Sequence, residues 1–590
     1  MIQQAEKLLK KVYGYDRFRP GQESVIASLL AGRDTIAIMP TGAGKSLCFQ
    51  VPAMLLPGVT LVVSPLISLM KDQVDALNNQ GLPATYINSS LSSAELRQRL
   101  SYIAAGRYKL IYIAPERLTT DIFQSVLRQL DISMLAIDEA HCISQWGHDF
   151  RPSYQAVGPF IANLKTRPIV GAFTATATPE VKNDVVNLLG LKRPDVHVTG
   201  FDRPNLFFQV LRGENKQKFV MNYLKANAAD SGIIYAATRK EVDSLYELLS
   251  RKGYAAGRYH AGLSDSERAA QQESFIYDDI RVMVATNAFG MGIDKSNVRY
   301  VLHYNMPKNM EAYYQEAGRG GRDGEPAECI LLFSSQDTLL QKFLIDKSVE
   351  HPLRKQHELH KLQEMVDYCH TPECLRTYIL RYFGESDAMN DCGHCGNCND
   401  DSEMMDITID AQKVFSCIYR MKERFGLTMV ADVLKGANNK KVRQFGFGDL
   451  STYGLMAERP LVDIKTLIQQ LAATGYLQLT DSNYPVVRLT PAALAVLRNQ
   501  AKVYQKVFKE RQAKPDDSLF ELLRQLRKEL ALRDQVPPYV VFADSTLKEM
   551  SQYCPVTEEA LRKIKGVGEV KLERYGREFL AVIKEYTVKS

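Results

Sequence analysis

The sequence predicts an α/β protein: two doubly wound parallel-sheet lobes, then a helical module with clustered cysteines, a winged helix and a small all-α unit. Three observations predict it. Short apolar runs alternate with amphipathic segments across residues 1–200, and again across 201–340. Near residue 341 the pattern turns helical, and four cysteines gather between Cys374 and Cys398. After a polar, acidic break at 400–403, helices lead to two short alternating runs and then to a last helical segment. The boundaries are 1–200, 201–340, 341–402, 403–500 and 516–590, with a polar linker at 499–517.

Composition narrows the class. A chain of 590 residues holds about three to five domains. Its 45% hydrophobic content is that of ordinary globular protein. No apolar run reaches the roughly 18 residues of a membrane helix. The start, Met-Ile-Gln-Gln-Ala-Glu, lacks the basic and apolar regions of a signal peptide. The expectation is a cytoplasmic protein with no membrane partner. Net charge is only +6, too mild to prove a nucleic-acid partner. Residues 501–590 carry 18 Lys and Arg against 14 Asp and Glu, which a solvated face explains about as well as DNA does. Ten cysteines in such a chain argue against a disulfide framework.

In the first lobe, strands are expected at 36–38, 60–64, 109–114, 134–138 and 168–173. Ligands of such sheets bind at the carboxyl ends of the strands. The first strand runs into Met39-Pro40-Thr41-Gly42-Ala43-Gly44-Lys45-Ser46, and a helix follows. Its glycines let backbone N–H groups from Thr41 to Gly44 close around phosphates, and the helix N-terminus adds its positive end. Lys45 would reach the β- and γ-phosphates, and the Ser46 hydroxyl would hold Mg²⁺. The fuller pattern has Gly where Met39 stands. The fourth strand ends in Asp138-Glu139-Ala140-His141. Opposite a phosphate loop, Asp138 can hold Mg²⁺ through its water shell, and Glu139 can orient the attacking water.

An Asp-Glu-Ala-His run after a Gly-Lys-Ser loop resembles superfamily 2 helicases, and the surrounding residues resemble the RecQ family of DNA helicases. Residues 13–22, Tyr-Gly-Tyr-Asp-Arg-Phe-Arg-Pro-Gly-Gln, are similar to that family's adenine-reading segment. The resemblance implies that Tyr15 stacks on the base, Arg19 approaches the nucleotide and Gln22 hydrogen-bonds the adenine edge. Residues 142–152 contain the single Trp of the chain. They resemble the family's aromatic-rich loop, which couples DNA binding to hydrolysis through Ser144, Gln145, Trp146, His148, Phe150 and Arg151. Stacking on such rings is sequence-tolerant and contributes about 1–3 kcal/mol per base. Residues 173–178 resemble a hydroxyl-rich motif linking hydrolysis to unwinding. Residues 64–73 and 114–117 resemble segments that touch the DNA backbone.

Residues 201–205, Phe-Asp-Arg-Pro-Asn, read as a linker to a second RecA-like lobe with strands at 232–235, 255–259, 282–285, 300–303 and 329–333. That lobe has no glycine-lysine loop, so one ATP is expected between the lobes. Arg319 and Arg322, three apart, fall on one face if the segment is helical. One can stabilise charge on the γ-phosphate as an arginine finger, and Arg322 is favoured, with Arg319 beside it. Gln315 belongs to the same motif and to the nucleotide site. Residues 285–294 resemble the motif lining the ATP and DNA sites. Thr238, Arg239 and residues 259–262 are candidate backbone contacts.

Cys374 is followed by Cys392, Cys395 and Cys398, a Cys-x₁₇-Cys-x₂-Cys-x₂-Cys spacing. Two-residue gaps let successive thiolates face one centre. Four soft ligands imply structural Zn²⁺, with an iron–sulfur cluster as the rival. Cys369, His370 and His394 are nearby but off the pattern, and the RecQ zinc domain resembles the Cys₄ set. Downstream, residues 475–479 and 486–489 alternate around a turn cluster at 481–485, the wing of a winged helix. Lys and Arg in residues 433–443 can grip duplex phosphates or form a solvated helix end. The last helical segment resembles the helicase-and-ribonuclease-D C-terminal domain, whose Gly566-Val567-Gly568 turn with flanking lysines suits a strand backbone.

The resemblance covers nearly the whole chain. It implies an ATP-dependent helicase that translocates 3′ to 5′ on single-stranded DNA and unwinds forked or tailed duplexes in recombination, repair and replication-fork maintenance. It further implies a nucleoid-associated monomer, with single-stranded DNA-binding protein as a partner. The rivals are a superfamily 2 RNA helicase and an ATP-gated DNA-binding or annealing protein.

Overall fold

We describe residues 1–65, 67–147, 149–290, 295–385, 389–399, 404–480, 486–506, 518–534 and 536–589 of a computed structural model of the chain. The expectations placed on His148, on residues 291–294, on the acidic break at 400–403, on the wing turn at 481–485 and on most of the 499–517 linker lie outside these residues.

The first lobe is a seven-stranded, all-parallel sheet in the order β3-β4-β2-β5-β6-β1-β7. The strands are β1 Thr35–Ile38, β2 Val59–Val63, β3 Ala84–Ile87, β4 Leu110–Ile113, β5 Ile132–Ile137, β6 Ile169–Thr174 and β7 Asp195–Val198. Helices cover both faces, so the central strands are apolar throughout; β2 is Val-Thr-Leu-Val-Val and wholly buried. The sequence reading finds the five central strands and misses β3 and β7. These are the sheet's edges, and β7 alternates between half-buried and exposed residues, which leaves no continuous apolar run to see. β1 lies beside β6 and next-but-one to β5, so the turns after β1 and β5 open into one crevice.

The second lobe is a six-stranded parallel sheet in the order β10-β11-β9-β12-β13-β8. Its strands are β8 Leu206–Arg212, β9 Ser231–Tyr235, β10 Ala256–Tyr259, β11 Val282–Ala285, β12 Val298–His303 and β13 Ala327–Phe333. Here the missed strand is again an edge, β8. Residues 201–205 are not a slack linker. Phe201 is buried, stacks on Phe383 with ring centroids 4.5 Å apart, and leads into the Arg203 contacts described below. A Pro and two polar residues look like a tether in sequence because the buried carbonyls that Arg203 serves are distant in the chain.

The helices Pro352–His370 and Leu375–Tyr382 follow and carry the cysteine knuckle, whose Gly396 N–H donates to the Phe208 carbonyl of β8 at 2.7 Å. A separate core holds the winged helix: helices Thr408–Arg420, Leu427–Lys435 and Leu461–Ala473, with the hairpin Leu477–Leu479 and Val487–Leu489. Tyr504–Lys506 pairs antiparallel with Met404–Asp406. Part of the polar stretch expected as linker is therefore the closing strand of this unit. The C-terminal unit is all helical, with its own core around Leu523, Phe542, Leu561 and Phe579. No helix among the described residues is long and apolar enough to cross a membrane.

Candidate functional site

The phosphate loop stands between β1 and the helix Lys45–Leu55. Gly42 and Gly44 both hold left-handed backbone, φ +85° and +81°. A side chain at either would be strained, and one at Gly44 would also strike the Gln22 amide. Gln22 is nearly inaccessible. Its Nε2 donates to the Ala43 and Gly44 carbonyls at 3.0 and 3.1 Å, and its Oε1 accepts from the Arg19 N–H at 2.8 Å. Arg19 also donates to the Gly42 carbonyl. The expected adenine-reading residues thus hold the loop's underside, while Tyr15 is 52% exposed at the rim. Lys45 Nζ donates to the Met39 carbonyl at 3.4 Å.

Lys45 is half-buried among charges. Burial lowers its pKa, Glu139 and Asp138 raise it, and Arg322 of the other lobe lowers it further. Burial and Glu139 push the Asp138 carboxyl up to about 7, against the pull of Lys45. Such a half-buried acid pair beside one lysine is short of positive charge, which suits a divalent cation. Glu139 takes a left-handed φ of +47°, an uncommon and costly conformation for a carboxylate residue. Its Oε2 lies 3.3 Å from His141 Nδ1, which is also 2.8 Å from the Thr174 hydroxyl at the end of β6. The acid pair is thereby joined to the hydroxyl-rich turn, where Thr174 accepts the Thr176 N–H at 3.2 Å.

From the second lobe, the helix Met310–Ala317 delivers the glycine-arginine segment. The two arginines part. Arg319 is buried inside its own lobe, bonded to the Gly290 carbonyl. Arg322 crosses the cleft: a Cβ on Gly42 would sit 3.3 Å from Arg322 Cγ. Gln315 lies half-buried on the same helix. The structure adds Arg203, which the sequence reading passed over. Its guanidinium donates to the Thr41 carbonyl of the phosphate loop at 2.6 Å and to the Gly318, Gly320 and Gly321 carbonyls at 3.2, 2.9 and 2.9 Å. One side chain ties the phosphate loop to the arginine segment. The only sequence signal was a charged residue before a proline.

The aromatic-rich loop is gripped from several sides. Ser144 donates to Asp184 at 2.6 Å and accepts the Trp146 N–H at 3.1 Å. Arg151 pairs with Asp149 and donates to the Pro65 carbonyl at 2.8 Å. Phe150 and Trp146 face the helix Pro352–His370, and Gln145 is exposed.

The Sγ atoms of Cys374, Cys392, Cys395 and Cys398 all lie within 4.8 Å of one another. The closest pairs are 3.9 and 4.0 Å apart, close to the edge of a tetrahedron with Zn–S bonds of about 2.3 Å. Backbone N–H groups of Thr377, His394 and Cys398 donate to three of the sulfurs at 3.4 Å. Cys374 also caps the helix Leu375–Tyr382, where the positive end favours a thiolate. Hydrogen bonds from the Cys395 thiol and from Thr377 hold the Cys374 thiol well below the usual thiol range, against burial. The donor set fits zinc. Cys369 is buried outside the cluster, His370 bonds the Val366 carbonyl and the His394 ring packs on Phe207.

Family models match in the same order along the chain. They are DEAD/DEAH box helicase over residues 19–184, helicase conserved C-terminal domain over 215–324, RecQ zinc-binding over 335–399, RQC domain over 401–514 and HRDC domain over 516–583. The ATP-dependent DNA helicase RecQ of Bacillus subtilis (strain 168) is 51% identical over 588 residues, 99% of either chain. That of Haemophilus influenzae is 40% identical, covering 99% of this chain and 96% of its own. The RecQ-like DNA helicase BLM of Xenopus laevis is 34% identical over 98% of this chain and 46% of its own. With a phosphate loop, an acid pair, a crossing arginine and a four-cysteine knuckle in one chain, and relatives alike from end to end, this chain belongs to the RecQ family of ATP-dependent DNA helicases.

Proposed function

We propose that ATP binds between the two lobes and that its hydrolysis drives 3′ to 5′ translocation on single-stranded DNA, opening tailed or forked duplexes. The observation that carries this is the convergence on Lys45 of Asp138 and Glu139 from its own lobe and Arg322 from the other. Tyr15 stacks on the base. Gln22 and Arg19 meet the adenine and nucleotide at the cost of their bonds to Ala43, Gly44 and Gly42, so base recognition reshapes the phosphate loop. Thr41 to Gly44 cradle the phosphates, and Lys45 neutralises the β- and γ-groups. Ser46 and Asp138 would hold Mg²⁺, which supplies charge neutralisation at the phosphates. Glu139, oriented by His141, aligns the attacking water. Arg322 acts as the arginine finger, and Arg319, with Gln315, fixes the segment that presents it.

Ser144, Gln145, Trp146, His148, Phe150 and Arg151 form the DNA-sensing loop. The four cysteines hold a structural zinc that keeps the knuckle on the second lobe. We assign the modules to 1–200, 201–340, 341–402, 403–500 and 516–590. We also propose a monomer in the cytoplasm, at the nucleoid, that meets single-stranded DNA-binding protein on its substrate.

The test is unwinding of matched duplexes carrying a 3′ or 5′ single-stranded tail of DNA or RNA. Opening of the 3′-tailed DNA alone, lost in Lys45→Ala with DNA binding kept, is expected. Opening of RNA-tailed substrates, or DNA-stimulated hydrolysis with no opening, would overturn the reading.

A further inference from the structure

The helix Pro352–His370 of the zinc module presents three residues on one face, at i, i+3 and i+7, to the aromatic-rich loop of the first lobe. The Arg354 guanidinium lies 5.1 Å from the centre of the Phe150 ring. The His357 ring meets Trp146 edge-on, with centroids 5.0 Å apart. One turn further on, Lys361 Nζ donates to the Trp146 carbonyl at 2.7 Å. The same ammonium pairs with Glu311 Oε1 at 2.6 Å. Glu311 opens the helix Met310–Ala317, whose end carries Arg319 and Arg322. Lys361 is 5% and Glu311 2% exposed, so this ion pair is held away from solvent screening. Glu311 is also close enough to raise the proton affinity of His141, the partner of Glu139.

A buried pair of this kind costs desolvation energy and survives only where its geometry is fixed. Here it stands where three bodies meet. The loop carbonyl belongs to the first lobe, the lysine to the zinc module and the glutamate to the second lobe. Motion of Trp146 must therefore break or drag the bond to the helix that leads into the Arg319–Arg322 segment.

We propose that Arg354, His357 and Lys361 are positioning residues that seat the aromatic-rich loop, and that the Trp146–Lys361–Glu311 link carries the loop's movement on DNA to the arginine side of the ATP cleft. This rests on the reading of residues 142–152 as the DNA-sensing loop. Phe150 and Trp146 are the stacking surfaces a base would claim, and they cannot serve both the helix face and a DNA strand. DNA binding exchanges one set of ring contacts for the other.

The experiment uses the full chain, oligo-dT as the DNA and the Lys361→Met, Glu311→Gln double variant, which leaves neither charge buried without its partner. Zinc content and thermal melting establish that it folds. Trp146 is the only tryptophan, so emission excited at the red edge, beyond the absorption of the 29 tyrosines, reports this junction. In the double variant the stimulation by saturating DNA, taken as the ratio to its own DNA-free rate, should fall roughly tenfold. Its DNA-free emission should already differ from that of the unaltered chain, because the Trp146 carbonyl has lost its donor. His357→Ala, which leaves the ion pair intact, should shift emission with a smaller loss of stimulation. A folded double variant with unaltered emission and stimulation would overturn the link and leave the motor standing. Absence of stimulation in the unaltered chain would overturn the motor reading and the link with it.

Discussion

The second lobe carries two accessory units, and they are docked by opposite chemistry. The zinc knuckle attaches mainly at backbone groups of β8: Gly396 N–H to the Phe208 carbonyl, an isolated bridge between Phe208 and Cys395, and the Arg376 guanidinium to the Leu206 carbonyl at 2.7 Å, with one ion pair from Arg376 to the half-exposed Asp202 beside them. It extends the open edge of β8 and so satisfies groups that an edge strand otherwise exposes. The HRDC unit attaches through a buried ion network around Arg524, Arg527, Asp278 and Asp544, with an exposed Lys528–Asp279 pair at its rim. Arg524 donates to the Ser231 hydroxyl at 3.1 Å, Lys528 pairs with Asp279 at 2.6 Å and Arg527 lies 3.7 Å from Asp278, itself paired with Lys295. Asp544 of the HRDC unit sits between Arg527 at 2.7 Å and Arg299 at 4.0 Å. A metal-fixed, backbone-bonded dock has one geometry. An ionic dock has a stability that substitution and proton concentration can move.

The comparison is broken most severely at the metal. Cys395 is wholly buried, belongs to the four-cysteine cluster and bridges to β8. In Cys395→Ser, zinc should fall from about one per chain to near zero, with a several kcal/mol loss at the knuckle. Elemental analysis and melting check this, and zinc retained by the soluble variant would reject the Cys₄ centre. A smaller, local effect is expected at the other dock. Arg524→Met removes charge-assisted bonds to the lobe and should weaken the dock by about 1.5–3 kcal/mol, with zinc content unchanged. A carbodiimide joins touching Lys and Asp side chains directly, so the Lys528–Asp279 cross-link counts docked molecules. An undiminished yield in Arg524→Met would mean that this ion network does not hold the unit.

The same contrast explains what was legible in the sequence. The Cys₄ centre was, because two-residue gaps fix three ligands locally and only Cys374 is remote. The phosphate loop and the Asp138–Glu139 pair were, because each is a short run at a strand end, and the central strands announce themselves by continuous apolar residues. Arg203, Lys361 and Glu311 were not. Each is one charged residue whose meaning lies in carbonyls or a counter-ion over 40 positions away. The HRDC dock was hidden for the same reason. Asp278, Lys295, Arg299, Arg524, Arg527 and Asp544 form no spacing pattern, and in sequence each reads as a solvated surface charge. Of the edge strands, β7 escaped because its residues alternate between half-buried and exposed, leaving no continuous apolar run.

The ionic dock should answer to pH in two directions, and this sharpens the contrast most finely. Lys295, Arg524 and Arg527 hold the Asp278 carboxyl well below the usual carboxylate range, and Arg527, Arg299 and Arg524 do the same to Asp544. A depressed carboxyl contributes stability that is complete above its unfolded value of about 3.9 and is lost as pH falls through the folded value. Asp230 and Asp323 behave oppositely. Burial raises both, against Arg524, Arg299 and Lys548 around the first and Arg299 beside the second. A raised carboxyl costs stability while it is ionised, and mild acid relieves that cost. From neutral pH downward the dock should first hold or tighten slightly, begin to weaken as pH falls below about 4, the undocked carboxyl value, and open fully only toward the lower docked values of Asp278 and Asp544. Small-angle scattering across that range reads it as a constant radius followed by expansion. A radius that grows steadily from pH 7 would mean that simple surface pairing, not this buried network, holds the unit in place.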